Sequence, residues 1–290
     1  MSGFKGLWEF NQQVSSGDTH YSFWRKTPSQ ITTAGIWFDF SMSPGNPNPQ
    51  YYAAAPLIAQ QMKRSTDGGL FHGTDSLTKN KYLKKFLIMS ASATGLPMPY
   101  IIADYLLYYP FIDTGTNDEQ ILDNTLTLPR YTDGVGVKMM AVSVAPNSGT
   151  SPTFTVNYTN SAGVSGRTSK PVRLNTATAN GSIVSNNSTV GTAIAASPFI
   201  AFQDGDSGVR SVESVTFTSG TDVGLFSLVL VKPLLSGVIL EQTAPSEIEA
   251  LPNTTTLPQI YSDAFLNLIT LPNGSLTGVA FHGEIETVYN

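Results

Sequence analysis

From about residue 135 the chain runs in short stretches of alternating apolar and polar residues, each closed by turn formers. Phe154, Val156 and Tyr158 interleave with Thr153, Thr155 and Asn157, a period of two that sets one face toward a core and one toward water. Val135, Val137, Met139, Ala141, Val142 and Val144 read as a second strand, and residues 199–202 as a third. Val209, Ser211, Glu213, Val215 and Phe217 share a face of a fourth, while residues 225–231 (LFSLVLV) are apolar throughout, as a core strand is. Residues 146–149, 160–163, 204–205 and 219–222 supply Pro, Asn, Asp, Ser and Gly between them. Short strands separated by turns restrict the chain to sandwich or jelly-roll architectures. The expected class is mainly β: a β-sandwich or jelly-roll-like core over residues 93–242, preceded by an extended N-terminal arm and accompanied by a few short helices.

Residues 1–92 are expected to form that arm, rich in aromatics and carrying short helices. All three tryptophans lie there, Trp8, Trp24 and Trp37, with Phe10, Phe38 and Phe40 among their neighbours. Gly17, Pro28, Gly35 and the run at 43–49 break any helical period, leaving one short strand at 36–42. A large aromatic buries about 150–250 Å². At about 25 cal/mol per Å² that is roughly 4–6 kcal/mol per ring as an upper bound, so these rings need cover. The cover is the chain's own sandwich or a neighbouring subunit. The second choice makes Trp8, Phe10, Trp24, Trp37, Phe38 and Phe40 interface residues, together with Phe281 of a terminal strand able to add to a neighbour's edge. On that choice, Trp24→Ala or loss of residues 1–50 leaves a soluble sandwich that no longer assembles.

Helical spacing is read at 53–64 and at 77–90, the latter as a helix or a helix running into a strand. Residues 96–112 carry a helical stripe (Ile101, Ile102, Tyr105, Leu106, Tyr109) but fit a buried strand nearly as well, with prolines at 97, 99 and 110. Residues 243–290 are expected to hold a linker, one helical turn at 246–250 capped by Ser246, a short helix at 259–270 and a final strand at 279–288.

Charged residues make up 13% of the 290, against roughly 25% in ordinary soluble domains. A surface so poor in charge suits burial against other subunits more than solitary life in solution. Residues 1–100 hold nine Lys/Arg against five Asp/Glu, and the remainder seven against sixteen, so the net −5 is unevenly spread. With no dense basic stripe, nucleic acid is not an expected partner. No cysteine is present, which removes disulfides, thiolate catalysis and Cys-ligated metals. The opening residues lack the apolar core of a secretory signal, and no apolar run of about 20 residues exists to span a membrane as a helix.

The sharpest chemical motif is Gly205-Asp206-Ser207-Gly208, which resembles the sequence around the nucleophile of trypsin-like serine proteases. His72 and then Asp104 or Asp113 precede Ser207 in the order that family uses. The motif continues Val209-Arg210 where the family has Gly-Pro, and neither His20 nor His72 lies in an Ala-Ala-His context. An Asp-Gly turn entering an alternating strand explains the same residues without chemistry. Glu284 and Glu286 share a strand face, as glycosidase carboxylates can, and Asp204, Asp206 and residues 113–118 are acidic loops without EF-hand spacing. Asn-x-Ser/Thr triplets begin at 157, 180, 186, 187, 253 and 273. No catalytic residue, metal or cofactor is expected.

The absence of cysteine, the low charge, the aromatic, proline-punctuated beginning, the Ser/Thr/Asn/Gly-rich strands and the terminal strand together resemble virion components of tailed bacteriophages. The stretches 207–217 and 225–231 look like core strands of such proteins. The resemblance implies a capsid decoration, cement or minor capsid protein, or a neck or tail component. Its partners would be other virion proteins or its own copies, and its place the virion after synthesis in a host cytoplasm. No uninterrupted helical pattern of about 20 residues matches the spine helix of the usual major capsid fold. The alternatives are a carbohydrate- or receptor-binding β-sandwich of a fibre or tail and, second, a trypsin-like protease acting through Ser207.

Overall fold

A computed structural model describes residues 3–177, 179–186, 197–251 and 257–290. Nine long strands dominate: β1 (Thr19–Lys26), β2 (Lys81–Ser90), β3 (Met98–Asp113), β4 (Lys138–Ala145), β5 (Thr153–Asn160), β6 (Val209–Ser219), β7 (Leu225–Ile239), β8 (Phe265–Thr270) and β9 (Phe281–Tyr289). Among the described residues helix is confined to α1 (Leu7–Ser15), α2 (Arg64–Asp67) and one 3-10 turn, Phe40–Met42, so the chain is mainly β, as the alternating patterns require.

The strands form three antiparallel sheets. In the central sheet β3 lies between β8 and β7, with β4 beyond β7 and Phe38–Asp39 beyond β8. In the first sheet β9 lies between β2 and β1, with Ser246–Glu249 outside β2 and Gly45–Asn46 outside the end of β1. In the third sheet β5 and β6 pair, flanked by Val172–Leu174 and Gln120–Ile121.

The long strands β3 and β7 let the central sheet serve two cores. Tyr109 and Ile112 of β3 and Phe226 and Leu228 of β7 meet Phe154, Val156, Val212 and Phe217 of the third sheet. Met98, Tyr100 and Ile102 of β3 meet Trp24, Phe86, Phe281 and Ile285 of the first. Ala103 and Tyr105, of opposite parity on the same strand, join a further cluster with Trp37, Met42, Tyr52 and Met62, so the loops at 37–62 cover that face. The result is a layered β-sandwich rather than a sandwich with an appended arm.

Several expectations for local structure are corrected. For 96–112 the strand, and not the helix, is the one of the two open readings that holds, as β3 (Met98–Asp113): Pro110 and Phe111 fall where the pairing skips from Tyr109 to Ile112, a bulge that needs no N–H from a proline. Residues 81–90 are strand as well, with Lys84 the extra residue of a bulge opposite Glu286 and Thr287. Within 259–270 the chain forms Gln259–Ile260 and β8, and β8 is buried on both faces, the one pattern in which apolar periodicity cannot separate strand from helix. Ser246–Glu249 is an edge strand, not a helical turn. Of the helix expected at 53–64 only α2 follows, because Leu57 takes a positive φ and the backbone of Ala59 bonds to Asp123. Residues 199–202 are irregular, tied by the Ile200 N–H to Met139 O at 2.8 Å.

The three sequential blocks 1–92, 93–242 and 243–290 are not spatial units. β1 and β2 come from the first block, β9 from the last, and they hydrogen-bond side by side in one sheet.

Candidate interaction surface

The proposed interface residues separate into two groups. Phe38, Phe40 and Phe281 are fully buried, and Phe40 meets Phe281 edge-on at 5.0 Å. Trp24 stacks on Phe86 at 5.8 Å, Trp37 lies in the cluster over the central sheet, and Phe10 plugs a small core with Tyr82 and Val288. These six are core of the chain's own fold, which corrects their reading as contacts to neighbours. Burial falls on them because even-numbered residues of β1 face inward and because 37–62 is a lid on the central sheet. Trp8 alone stays out, 66% exposed on α1.

The exposed aromatics that matter were not singled out from the sequence. The burial of β1 alternates, so Ser22, Trp24 and Lys26 point inward while Tyr21, Phe23 and Arg25 point outward. Phe23 is 72% exposed and Tyr21 53%. The alternation of THYSFWRK carries the signal, but both sets contain aromatics, so composition does not say which is inside.

Across the outer face of the first sheet the register makes rows. Tyr21 lies beside Glu286, then Lys85, then Glu249; Phe23 lies beside Glu284, then Leu87, then Glu247. Lys85 approaches Glu284 at 3.4 Å and Glu247 at 3.7 Å, and Lys84 bonds Glu286 at 2.7 Å. Burial lowers the affinity of Lys85 for its proton, but Glu284 and Glu247 outweigh that and hold it above its ordinary value. A hydrogen bond to Glu286 raises the Tyr21 phenol. The two glutamates that sequence reading set beside glycosidase carboxylates are thus partners of lysines. Lys85 with Glu247 and Glu284 forms a ladder of ion pairs that water tolerates, while the Lys84–Glu286 pair is largely buried, and the exposed aromatics of this face are on the β1 rim.

That rim is also an open edge. Gly45–Asn46 pairs only with Arg25 and Lys26, and no strand among the described residues pairs with the outer side of 19–24. The cap is held by Lys26, whose ammonium donates to Ser43 O at 3.0 Å and Ser41 O at 3.3 Å. Burial pulls this lysine down to about 8, with Asp39 opposing. Asp39, raised by burial, accepts from Ser41, Tyr52 and Tyr105.

The residues set out for protease chemistry lie apart. The His72 ring is buried and bonds Ala264 O at 2.9 Å; burial pulls its affinity for a proton down to about 3. Asp104 is held by Arg130 at 2.7 Å, and Asp113 accepts from the Gly115 N–H. Ser207 Oγ meets Ser161 Oγ at 3.4 Å. The motif itself has structural employment. Asp206 accepts from Tyr158, Asn160 and Arg167, and the Arg167 bond leads in holding it at about 2. Gly208 lies so close to the backbone of Gly134 and Gly136 that a Cβ has no room. Asp204, next to it, pairs with Lys170 at 2.7 Å. A shallow groove of about 390 Å³ beside this loop is lined by Lys138, Phe199, Phe202 and Gln203. Among the described residues no three His, Asp or Glu side chains cluster as metal ligands, and no helix is long and apolar enough to cross a membrane. The triplets beginning at 187 and 253 lie outside the described residues, as does the third residue of that beginning at 186.

No protein family matches the chain, and no curated protein does. Among solved structures, the T=1 particles derived from infectious bursal virus share 10% identity and a TM-score of 0.20, over 94% of this chain and 78% of that one. The infectious bursal disease virus Gt strain structure shares 8% identity and a TM-score of 0.19, over 94% and 80%. Likeness at this level does not establish a common fold.

Proposed function

We propose that this chain is a non-catalytic structural subunit of a virion, of the tailed-phage kind its sequence character resembles, joined to neighbouring subunits through the open edge of β1. The observation that carries the reading is that edge. Exposed strand edges are normally blunted by lysine, proline, a bulge or a covering loop, because unpaired backbone groups recruit other chains. Residues 19–24 (THYSFW) hold no lysine or proline, pair with β9 without a bulge and are joined by no described strand on their outer side, and they add Tyr21 and Phe23 to the exposed side. Aromatic anchors beside a strand edge fit β-augmentation, in which backbone bonds give affinity and side chains give register. The scarcity of charge over the whole chain agrees with a surface meant to be covered.

The test is the mass of the purified protein by light scattering. The wild type is expected to form oligomers, and Phe23→Lys to be monomeric with an unchanged circular dichroism spectrum, since Phe23 touches little of its own fold. A wild type that stays monomeric at every concentration, or a Phe23→Lys protein as oligomeric as wild type, would refute the reading.

A further inference from the structure

The backbone bonds around β1 fix which groups its open edge presents. At one end Tyr289 donates its N–H to Asp18 O at 2.9 Å, so the carbonyl of an even-numbered residue points toward β9. At the other end Thr27 donates to Pro44 O at 2.8 Å, so the N–H of an odd-numbered residue points the opposite way, toward the side that Gly45–Asn46 caps. In an antiparallel ladder these directions alternate strictly along the strand. Both ends give the same parity. Thr19, Tyr21 and Phe23 therefore turn N–H and C=O outward, where no described strand receives them, and Arg25 is already taken by Asn46.

We propose that the occupant of this edge is a second copy of the same strand, antiparallel, with the two-fold axis passing at Tyr21. The inference rests on the reading of the chain as a self-assembling subunit and makes it specific. Three odd positions centred on Tyr21 are self-complementary. Rotation about Tyr21 sets Thr19 against the copy's Phe23, Tyr21 against its own counterpart and Phe23 against the copy's Thr19, so every free group on both strands finds a partner. Moving the axis to Ser22 puts Thr19 opposite Arg25, whose groups are occupied, and loses two of the bonds. Moving it toward His20 leaves Phe23 opposite Gly17, where a φ of +81° turns the chain out of the strand line. The side chains agree with the register. On the outer face an aromatic meets a β-branched residue twice and an aromatic once, the pairs that favour a sheet, and no like charges are opposed. The contact is isologous, as closed two-fold assemblies require. The first sheets of two subunits would then run as one.

The absence of cysteine gives a clean test. Hydrogen-bonded antiparallel partners have Cα atoms about 5.5 Å apart, within disulfide reach. Tyr21→Cys, oxidised or treated with a short bismaleimide, is expected to run as a covalent dimer on a denaturing gel. A mixture of Thr19→Cys and Phe23→Cys is expected to cross-link, and Thr19→Cys alone to remain single, because in this register its counterpart lies four residues away along the strand. Near-ultraviolet circular dichroism on each variant checks that it is folded. Failure of both Tyr21→Cys and the mixture to cross-link, in variants that still oligomerise, overturns the two-fold pairing and leaves the assembly reading standing with a different strand at the edge. Cross-linking of Thr19→Cys to itself in place of Tyr21→Cys overturns the register. If neither cross-links and the wild type is monomeric, the assembly reading falls as well.

Discussion

Trp24 and Trp8 differ only in what surrounds them. Trp24 lies over Gly283 of the neighbouring strand, where a Cβ would enter the indole ring, and stacks on Phe86. Glycine at 283 is therefore a packing requirement. Trp24→Ala leaves a cavity between the first and central sheets and is expected to cost about 3–5 kcal/mol of stability. Trp8→Ala, at a ring largely in water, is expected to change stability by less than about 0.5 kcal/mol. Urea titration of the two variants checks the contrast. Both rings look alike as aromatics in need of cover, and Trp24 loses the role of a contact to neighbours for a physical reason: although β1 is an edge strand, its even-numbered side chains face the core between the first and central sheets, where the indole has no access to another chain.

At the scale of the element, β1 has two edges with different duties. Even-numbered residues bond β9 and odd-numbered ones face the opening. Proline removes one N–H, so its cost depends on parity. Ser22→Pro deletes a ladder bond to β9 and is expected to destabilise the fold by about 3 kcal/mol or more. Tyr21→Pro deletes a donor that the monomer does not use, and is expected to be far milder in thermal denaturation while abolishing assembly. Equal loss of stability in both variants would show that the parity assigned to β1 is wrong. The strand itself was not among those foreseen, since its eight residues lie in a segment whose prolines and glycines suggested an extended arm. The terminal strand β9 was foreseen, but its immediate neighbour was not, because pairing between residues 19–26 and 281–289 has no local signature.

For the whole molecule, the N-terminal segment is an integral part of the sandwich. Residues 3–50 supply β1, the cap on its end, the Phe38–Asp39 strand and the lid over the central sheet that includes Trp37 and Met42. Their deletion uncovers both faces of cores that the remaining chain cannot close. The shortened protein is expected to be insoluble or protease-sensitive rather than the soluble, assembly-deficient sandwich that an arm would leave. Limited proteolysis of the product decides between the two, and a trypsin-resistant core with native circular dichroism would restore the arm.

What the amino-acid order settled unaided is the class of fold and much of its third sheet: β5 and β6 declare themselves by alternation, which is a local property of a strand with one wet face. The absent cysteines likewise removed thiol and disulfide chemistry. Tertiary structure alone decided which aromatics are core and which are surface, and that the beginning and end of the chain share a sheet. Hydrophobicity reports that a ring needs cover, but the neighbour that covers it is chosen by pairings across more than 250 residues, and those are written in no single stretch of the chain.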